Sequence, residues 1–103
     1  MRKRKTTRPE NTEKAWLAQV RYLAKTLGWQ FWHPWLTIYS ARGWPDVALV
    51  RPPRLIFAEL KTEKGKVSPE QQEWLDLLRS VGGNVEVYVW RASDFDEVVR
   101  ILR

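Results

Sequence analysis

Apolar residues recur every three or four positions in three stretches of the sequence, and this periodicity predicts three helices. They cover about residues 11–27, residues 68–80 and residues 93–102. Each stretch is preceded or opened by Asn, Thr, Ser or Asp, the residue types that cap helix N-termini best. The apolar faces that we expect to be buried comprise Trp16, Leu17, Val20, Leu23, Ala24 and Leu27 in the first stretch and Trp74, Leu75, Leu78 and Val81 in the second. The apolar face of the third stretch comprises Phe95, Val98, Val99 and Leu102.

Four further stretches are apolar and rich in β-branched or aromatic residues, which predicts strands. They cover residues 29–35, 43–50, 55–61 and 84–90. The element order is therefore α-β-β-β-α-β-α, which predicts a small α/β domain with a mixed four-stranded sheet flanked by helices. A helix joins the third strand to the fourth, so these two strands should run parallel to each other.

The second and third strands form a hairpin around Pro52-Pro53, and its register follows from the residue numbers. If the turn is symmetric, paired residues have numbers that sum to 105, so Asp46 faces Glu59 with Cβ atoms roughly 4.5–5.5 Å apart. Lys61 follows Glu59 by two residues and projects from the same face. Two prolines do not suit the primed two-residue turns, so we expect a wider loop. An asymmetric bulge there would place the two acids on opposite faces.

Two carboxylates held this close repel each other unless a positive charge lies between them. Mg²⁺ is a natural partner, because hard cations take oxygen ligands and often use only one or two carboxylates. Lys61 would then provide a fixed positive charge beside the metal. The sequence has no cysteine and a single histidine, His33, which excludes a site built on thiolates or on several imidazoles. Any catalysis must therefore use carboxylates, lysines and hydroxyl groups.

Two further polar residues have both a structural and a functional interpretation. Glu13 lies in the first turn of the first predicted helix. It is there either because the helix dipole favours an acid at this position or because its side chain reaches the metal site. Gln71 lies at the third position of the second predicted helix. Its side chain either forms a hydrogen bond back to the N-cap residue Ser68 or turns inward toward the acids. The spacing alone favours the structural interpretation of both residues.

The charge balance favours a polyanionic partner such as nucleic acid, because the formal charge is +6 and the pI is near 10. Five of the first eight residues are Lys or Arg, which predicts a basic, flexible arm at residues 1–10 and a folded domain at residues 11–103. The arm is either a solvated tail or a segment that follows phosphates, and both interpretations stay open. The candidate DNA-binding residues are Arg2, Lys3, Arg4, Lys5, Ser40, Arg42, Lys64 and Lys66.

A chain of 103 residues fits one domain with a core of its own. It has no long apolar span, and its charged start lacks the apolar stretch of a secretory signal, so we expect a cytoplasmic protein. Seven tryptophans are many for a core of this size, and some of them are expected at a two-fold interface between copies of the chain.

Asp46, a spacer, and then Glu59-Leu60-Lys61 at the end of an apolar strand form the pattern of the PD-(D/E)xK nucleases. Around this pattern, residues 43–46 (Gly-Trp-Pro-Asp), 57–61 (Phe-Ala-Glu-Leu-Lys) and 65–75 closely resemble the VRR-NUC domain. The resemblance extends over the first helix, the last strand and the last helix. It therefore covers nearly the whole chain after the basic arm.

The resemblance implies a restriction-endonuclease-like core and a phosphodiesterase that depends on Mg²⁺ or Mn²⁺. It also implies a homodimer that acts on branched DNA such as four-way (Holliday) junctions, as for single-domain members from phages and bacteria. The alternative is a DNA-binding module that keeps the nuclease fold without turnover. The implied site residues are Asp46 and Glu59 as metal ligands, the Leu60 carbonyl and Glu13 as further ligands, Lys61 beside the attacking water, and Gln71.

Overall fold

The computed structural model describes residues 12–34 and 41–103, and within them the predicted order of elements is confirmed. The helices are α1 (Glu13–Thr26), α2 (Pro69–Arg79) and α3 (Phe95–Leu102), with a short 3₁₀ helix (Ala92–Asp94) leading into α3. The strands are β1 (Gln30–Trp32), β2 (Val47–Arg51), β3 (Arg54–Lys61) and β4 (Val85–Arg91). No helix in these parts of the chain is long and apolar enough to cross a membrane.

The four strands form one mixed sheet in the order β1-β2-β3-β4. The first three strands are antiparallel neighbours, whereas β4 runs parallel to β3, as expected for strands joined by a helix. Helices α1 and α3 cover the face on which Ile56, Ala58 and Leu60 form the buried core. Helix α2 covers the other face. Because side chains alternate along β3, Glu59 and Lys61 project from this second face.

The hairpin between β2 and β3 has the predicted register, but its turn differs from the expectation. Val47 pairs with Ala58 and Arg51 pairs with Arg54, so the paired numbers sum to 105 throughout. The expected wider loop is wrong, because Pro52-Pro53, joined by a cis peptide bond, closes the turn alone. Turns with a cis proline at the third position form a class of their own, apart from the primed turns.

The first strand is shorter than residues 29–35 because Trp29 belongs to the end of α1. Gly28 has a φ of +88°, and the Trp29 amide donates a hydrogen bond to the Ala24 carbonyl at 2.9 Å. This is the Schellman arrangement that commonly ends helices. Trp29 is buried, and its Nε1 donates to the Leu102 carbonyl at 2.9 Å, so its ring joins α1 to α3. Trp35 lies outside the described residues, as does the basic arm.

Two apolar side chains that the helical pattern assigned to the core are exposed instead. Val81 is 66% exposed and Phe95 is 41% exposed. Val81 follows the end of α2, where the helical spacing no longer determines which way a side chain points. Phe95 is the first residue of α3 and lines a surface groove beside Ala18 and Tyr22 of α1.

Candidate active site

Asp46 and Glu59 lie at one end of the sheet, where β2 begins and β3 ends. Asp46 directly precedes the first paired residue of β2, and the register continued by one position places it opposite Glu59. Asp46 Oδ2 accepts a hydrogen bond from the Leu60 amide at 2.8 Å, which fixes this carboxylate against β3. Glu59 is 1% exposed and is the one charged side chain in the core of the described chain. The structure thus brings the two predicted acids together, with Glu59 fully buried.

One oxygen of the Glu59 carboxylate, Oε2, has two polar partners among the described residues. Gln71 Nε2 donates to Glu59 Oε2 at 2.7 Å, and Lys61 Nζ lies 3.4 Å from the same oxygen. The other oxygen, Oε1, is buried without a hydrogen-bond partner in the described chain. A buried carboxylate oxygen without a partner is costly, because nothing offsets its loss of hydration. A cation held by Asp46 and Glu59 would satisfy it, and two carboxylates are a donor set that suits Mg²⁺ or Mn²⁺.

Burial and the neighbouring Asp46 carboxylate raise the pKa of Glu59 to about 8, and Lys61 acts in the opposite direction. Without a cation the acid pair therefore retains a proton near neutral pH. Metal ligands must be deprotonated, so a divalent cation bound there would displace this proton.

We expect the stability of the metal-free protein to fall as the pH rises from about 4.5 to about 8. The folded state keeps the Glu59 proton up to a pKa of about 8, whereas the unfolded chain releases it near 4.5. Stability from this proton is therefore complete below the lower pKa and is lost as the pH rises through the higher one. Glu59→Gln should remove this dependence and raise the melting temperature at about pH 8 by roughly 5 °C or more. Thermal melts in EDTA across this range measure both effects.

The matched control for these melts is Glu73→Gln, because Glu73 is an exposed acid on α2. It should follow the wild-type protein at every pH. Added Mg²⁺ or Mn²⁺ should stabilise the wild-type protein at about pH 8 and leave Glu59→Gln unchanged. A wild-type melting temperature no more pH-dependent than that of Glu59→Gln would contradict the unfavourable ionisation of Glu59.

Gln71 takes both of the roles that its position allows. Its backbone amide donates to Ser68 Oγ at 3.1 Å, and its side-chain Oε1 accepts from the Ser68 amide at 2.9 Å, so the capping box is complete. The nitrogen of the same side-chain amide donates to Glu59. The helix cap therefore fixes the orientation of the amide that contacts the buried acid.

Contacts that the helix and strand patterns do not predict hold the segment before Asp46 against α2. Gly43 has a φ of +85°, and a side chain there would lie 2.6 Å from the backbone of the first turn of α2. Trp74 Nε1 donates to the Arg42 carbonyl at 3.0 Å, and its ring packs edge to face against Trp44. These contacts fix Asp46 relative to α2. Their only local sequence signal is the Gly-Trp-Pro motif at residues 43–45.

Glu13 reaches the same end of the sheet from α1. It lines a cavity of about 280 Å³ together with Lys14, Leu17, Asp46 and Leu60. The described residues contain no cluster of three or more Asp, Glu, His or Cys side chains that could hold a metal. Glu13 therefore lies beside the acid pair without completing a three-acid cluster. Its role as a ligand, and that of the Leu60 carbonyl, stay predictions.

The predicted DNA contacts fall in different parts of the chain. Lys64 and Lys66 are exposed on the loop that follows β3, and Arg42 is exposed beside α2. The Arg91 guanidinium fixes the loop by donating to the carbonyls of Thr62 at 2.5 Å and Gly65 at 2.7 Å. Two lysines thus lie on a fixed loop that directly follows Lys61. The predicted contacts that lie outside the described residues are Arg2, Lys3, Arg4, Lys5 and Ser40.

Comparisons with known proteins agree on one family. The family model described as the VRR-NUC domain matches residues 37–92, which is more than half of the chain. A solved structure described as a VRR_NUC domain is similar to this chain, with 25% sequence identity and a TM-score of 0.59. The match covers 81% of this chain and 92% of that chain. No curated protein matches the sequence.

Proposed function

Since the chain belongs to the VRR-NUC family of nuclease-fold domains that act on DNA, we propose that it is an endonuclease that hydrolyses DNA phosphodiester bonds with Mg²⁺ or Mn²⁺. The observation that carries the proposal is the buried Glu59 carboxylate, which has one unpaired oxygen and has Asp46 and Lys61 beside it. Such a group destabilises a purely structural domain, because a buried carboxyl oxygen without a hydrogen-bond partner loses its hydration without compensation.

Asp46 and Glu59 are the proposed metal ligands, with the Leu60 carbonyl and Glu13 as further ligands. A metal bound there would polarise the phosphate and lower the pKa of a water molecule bound to it. Gln71 supports this arrangement, because its hydrogen bond occupies Glu59 Oε2 and leaves Oε1 for the metal. The Leu60 amide does the same for Asp46 by occupying Oδ2.

Lys61 is proposed to hold the attacking water and to stabilise the negative charge that develops on it. Its ammonium group lies 3.4 Å from Glu59 Oε2, and its side chain is only 13% exposed, so the charge is held in place before substrate binds. The water oxygen forms a bond to phosphorus and releases a proton to solvent, while the bond between phosphorus and the leaving oxygen breaks. A preorganised cation at the attacking oxygen lowers the barrier because it requires no reorganisation during the reaction.

Branched DNA, such as a four-way junction, is the proposed substrate, and a homodimer is the proposed active form. Each domain has one acid pair, whereas symmetric resolution of a junction requires two cuts. Trp32 is 52% exposed, and aromatic side chains of this kind are enriched at protein interfaces. The basic residues Arg42, Lys64 and Lys66 would contact the phosphate backbone and make binding salt-dependent.

A gel assay on matched substrates tests the proposed function. Linear, nicked, flapped and four-way DNA of the same sequence are incubated with the protein in Mg²⁺, Mn²⁺ or EDTA. We expect cleavage with either metal, none in EDTA, and a preference for branched DNA. Binding without cleavage of any substrate would support the alternative, a non-catalytic DNA-binding module. Light scattering that shows a strict monomer at micromolar concentration would contradict the homodimer.

Ser68→Ala and Gln71→Ala are expected to separate helix capping from catalysis. Both variants disrupt the capping box and should lose about 1 kcal/mol of stability. Only Gln71→Ala also removes the hydrogen bond to Glu59, so only this variant should lose cleavage rate, by roughly 10- to 100-fold. Melting temperatures and single-turnover rates measure the two effects. Gln72→Ala, at an exposed neighbouring position, is the control. Equal rate losses in the Ser68 and Gln71 variants would assign Gln71 to the cap alone.

A further inference from the structure

Lys14 is a cation near the acid pair that the proposed function does not yet use. It lines the cavity of about 280 Å³ that also contains Glu13 and Asp46. Its side chain is exposed and has no ion-pair partner within the described chain. Helix stability does not account for it, because the helix dipole disfavours a cation in the first turn.

Lys14 and Lys61 approach the acid pair from opposite faces of the sheet. Lys14 belongs to α1, which packs on the face where Leu60 is buried. Lys61 projects from the other face, as Glu59 does, because side chains alternate along β3. Asp46 lines the cavity that contains Lys14, and Glu59 contacts Lys61. Lys14 therefore shares a cavity with Asp46 on the α1 side, and Lys61 contacts Glu59 on the α2 side.

This arrangement matches the geometry of phosphodiester hydrolysis. The attacking and leaving oxygens lie roughly in line on opposite sides of the phosphorus atom. A phosphate bound at the acid pair, with its attacking water at Lys61, would therefore direct its leaving oxygen toward α1. The leaving oxygen gains negative charge as its bond to phosphorus breaks, and a cation on that side lowers the barrier.

We propose that Lys14 is a second catalytic residue, which binds the leaving oxygen of the scissile phosphate and protonates it. The inference rests on the proposed nuclease function. The bond between phosphorus and the leaving oxygen breaks, its electron pair stays on that oxygen, and the oxygen takes a proton from the Lys14 ammonium group. Lys14 then recovers a proton from solvent, which balances the proton that the attacking water releases. Lys61 acts on the attacking side and Lys14 on the leaving side of the same displacement.

Substrates with a better leaving group test this assignment. DNA is prepared with either the ordinary bridging oxygen or a bridging sulfur at the cleavage site, in both the 3′ and the 5′ position. A thiolate leaves without protonation far more readily than an alkoxide, because its pKa is much lower. The informative sulfur substrate is the one, 3′ or 5′, that the wild-type protein cleaves faster than the oxygen substrate. Lys14→Ala should reduce the single-turnover rate about 100-fold or more on the oxygen substrate, and less than about 5-fold on this sulfur substrate. Lys61→Met should lose the same factor on both substrates.

Two further variants and one binding measurement complete the test. Lys25→Ala alters an exposed lysine in the last turn of the same helix and should leave cleavage unchanged. Lys14→Arg should keep more activity than Lys14→Ala, because it preserves the positive charge. In EDTA, fluorescence anisotropy of labelled DNA across a salt series should show that Lys14→Ala lowers the salt slope by about 1, as the loss of one phosphate contact predicts.

The outcomes separate this inference from the proposed function. If the wild-type protein cleaves DNA but Lys14→Ala matches Lys25→Ala, the role of Lys14 is overturned and the proposed function stands. Equal losses for Lys14→Ala on the oxygen and sulfur substrates would also overturn it, since the residue would then not act on the leaving group. A wild-type protein that cleaves no DNA overturns both.

Discussion

Asp46→Asn is expected to abolish DNA cleavage, with a loss of about 1000-fold or more, and to leave the fold intact. Asparagine keeps an oxygen that can accept the hydrogen bond from the Leu60 amide, so the start of β2 should hold its position. It removes one of the two charges that the proposed metal requires. A bound metal supplies several kcal/mol of transition-state stabilisation, and each 1.4 kcal/mol corresponds to a factor of about ten in rate.

Cleavage rates and thermal melts of Asp46→Asn, measured side by side, test this expectation. Asp96→Asn is the matched control, because Asp96 is an exposed acid on α3. It should cleave at the wild-type rate. An Asp46→Asn protein that folds normally and cleaves within tenfold of wild type would show that catalysis does not use this acid.

Lys61→Met is expected to reduce the cleavage rate by about 100- to 10,000-fold while metal binding is kept. Methionine retains an apolar stem, so the partly buried position stays filled, but the ammonium group beside Glu59 is lost. The acid pair stays intact in this variant, and removing a nearby cation favours the binding of another one. Asp46→Asn and Lys61→Met should therefore differ in metal binding although both are inactive.

Isothermal titration of Mn²⁺ into Lys61→Met, together with single-turnover cleavage, measures both quantities. Lys25→Met, at an exposed position on α1, serves as the control for a lost positive charge. If Lys61→Met lost metal binding and activity together, Lys61 would support the structure of the metal site and would not act on the water.

The register of the acid pair could be predicted from the sequence because it depends only on the symmetry of the hairpin. The predicted wide loop was wrong, yet Asp46 and Glu59 still face each other, since any symmetric turn around Pro52-Pro53 keeps the same pairs. Side chains alternate along a strand, so the face of Lys61 followed from the same count. A strong local pattern was sufficient for the core of the site.

Gln71 shows where a sequence pattern alone is insufficient. The sequence presents capping and contact with the acids as alternatives, and the spacing favours the cap. A side-chain amide has an acceptor and a donor on the same group, so one orientation of Gln71 serves both Ser68 and Glu59. Whether the donor reaches a partner depends on the distance between α2 and β3, which the sequence of either element does not reveal.

Other parts of the site depend on contacts between segments far apart in the chain. Gly43 and Trp44 meet α2 about thirty residues later, and the packing of α1 places Lys14 in the cavity of Asp46. No periodicity or spacing encodes such contacts, because they arise only when the elements pack together. Phe95 illustrates the same limit, since its place in an apolar stripe did not reveal that it is exposed.

Isothermal titration of Mn²⁺ into the wild-type protein and Glu59→Gln is the most direct test of the central claim, that the buried acid pair is a divalent-metal site. We predict Mn²⁺ binding at the acid pair of the wild-type chain, with release of a proton near neutral pH, and no binding at that site in Glu59→Gln. Equal binding of Mn²⁺ by the two proteins, or no binding by either, would contradict it.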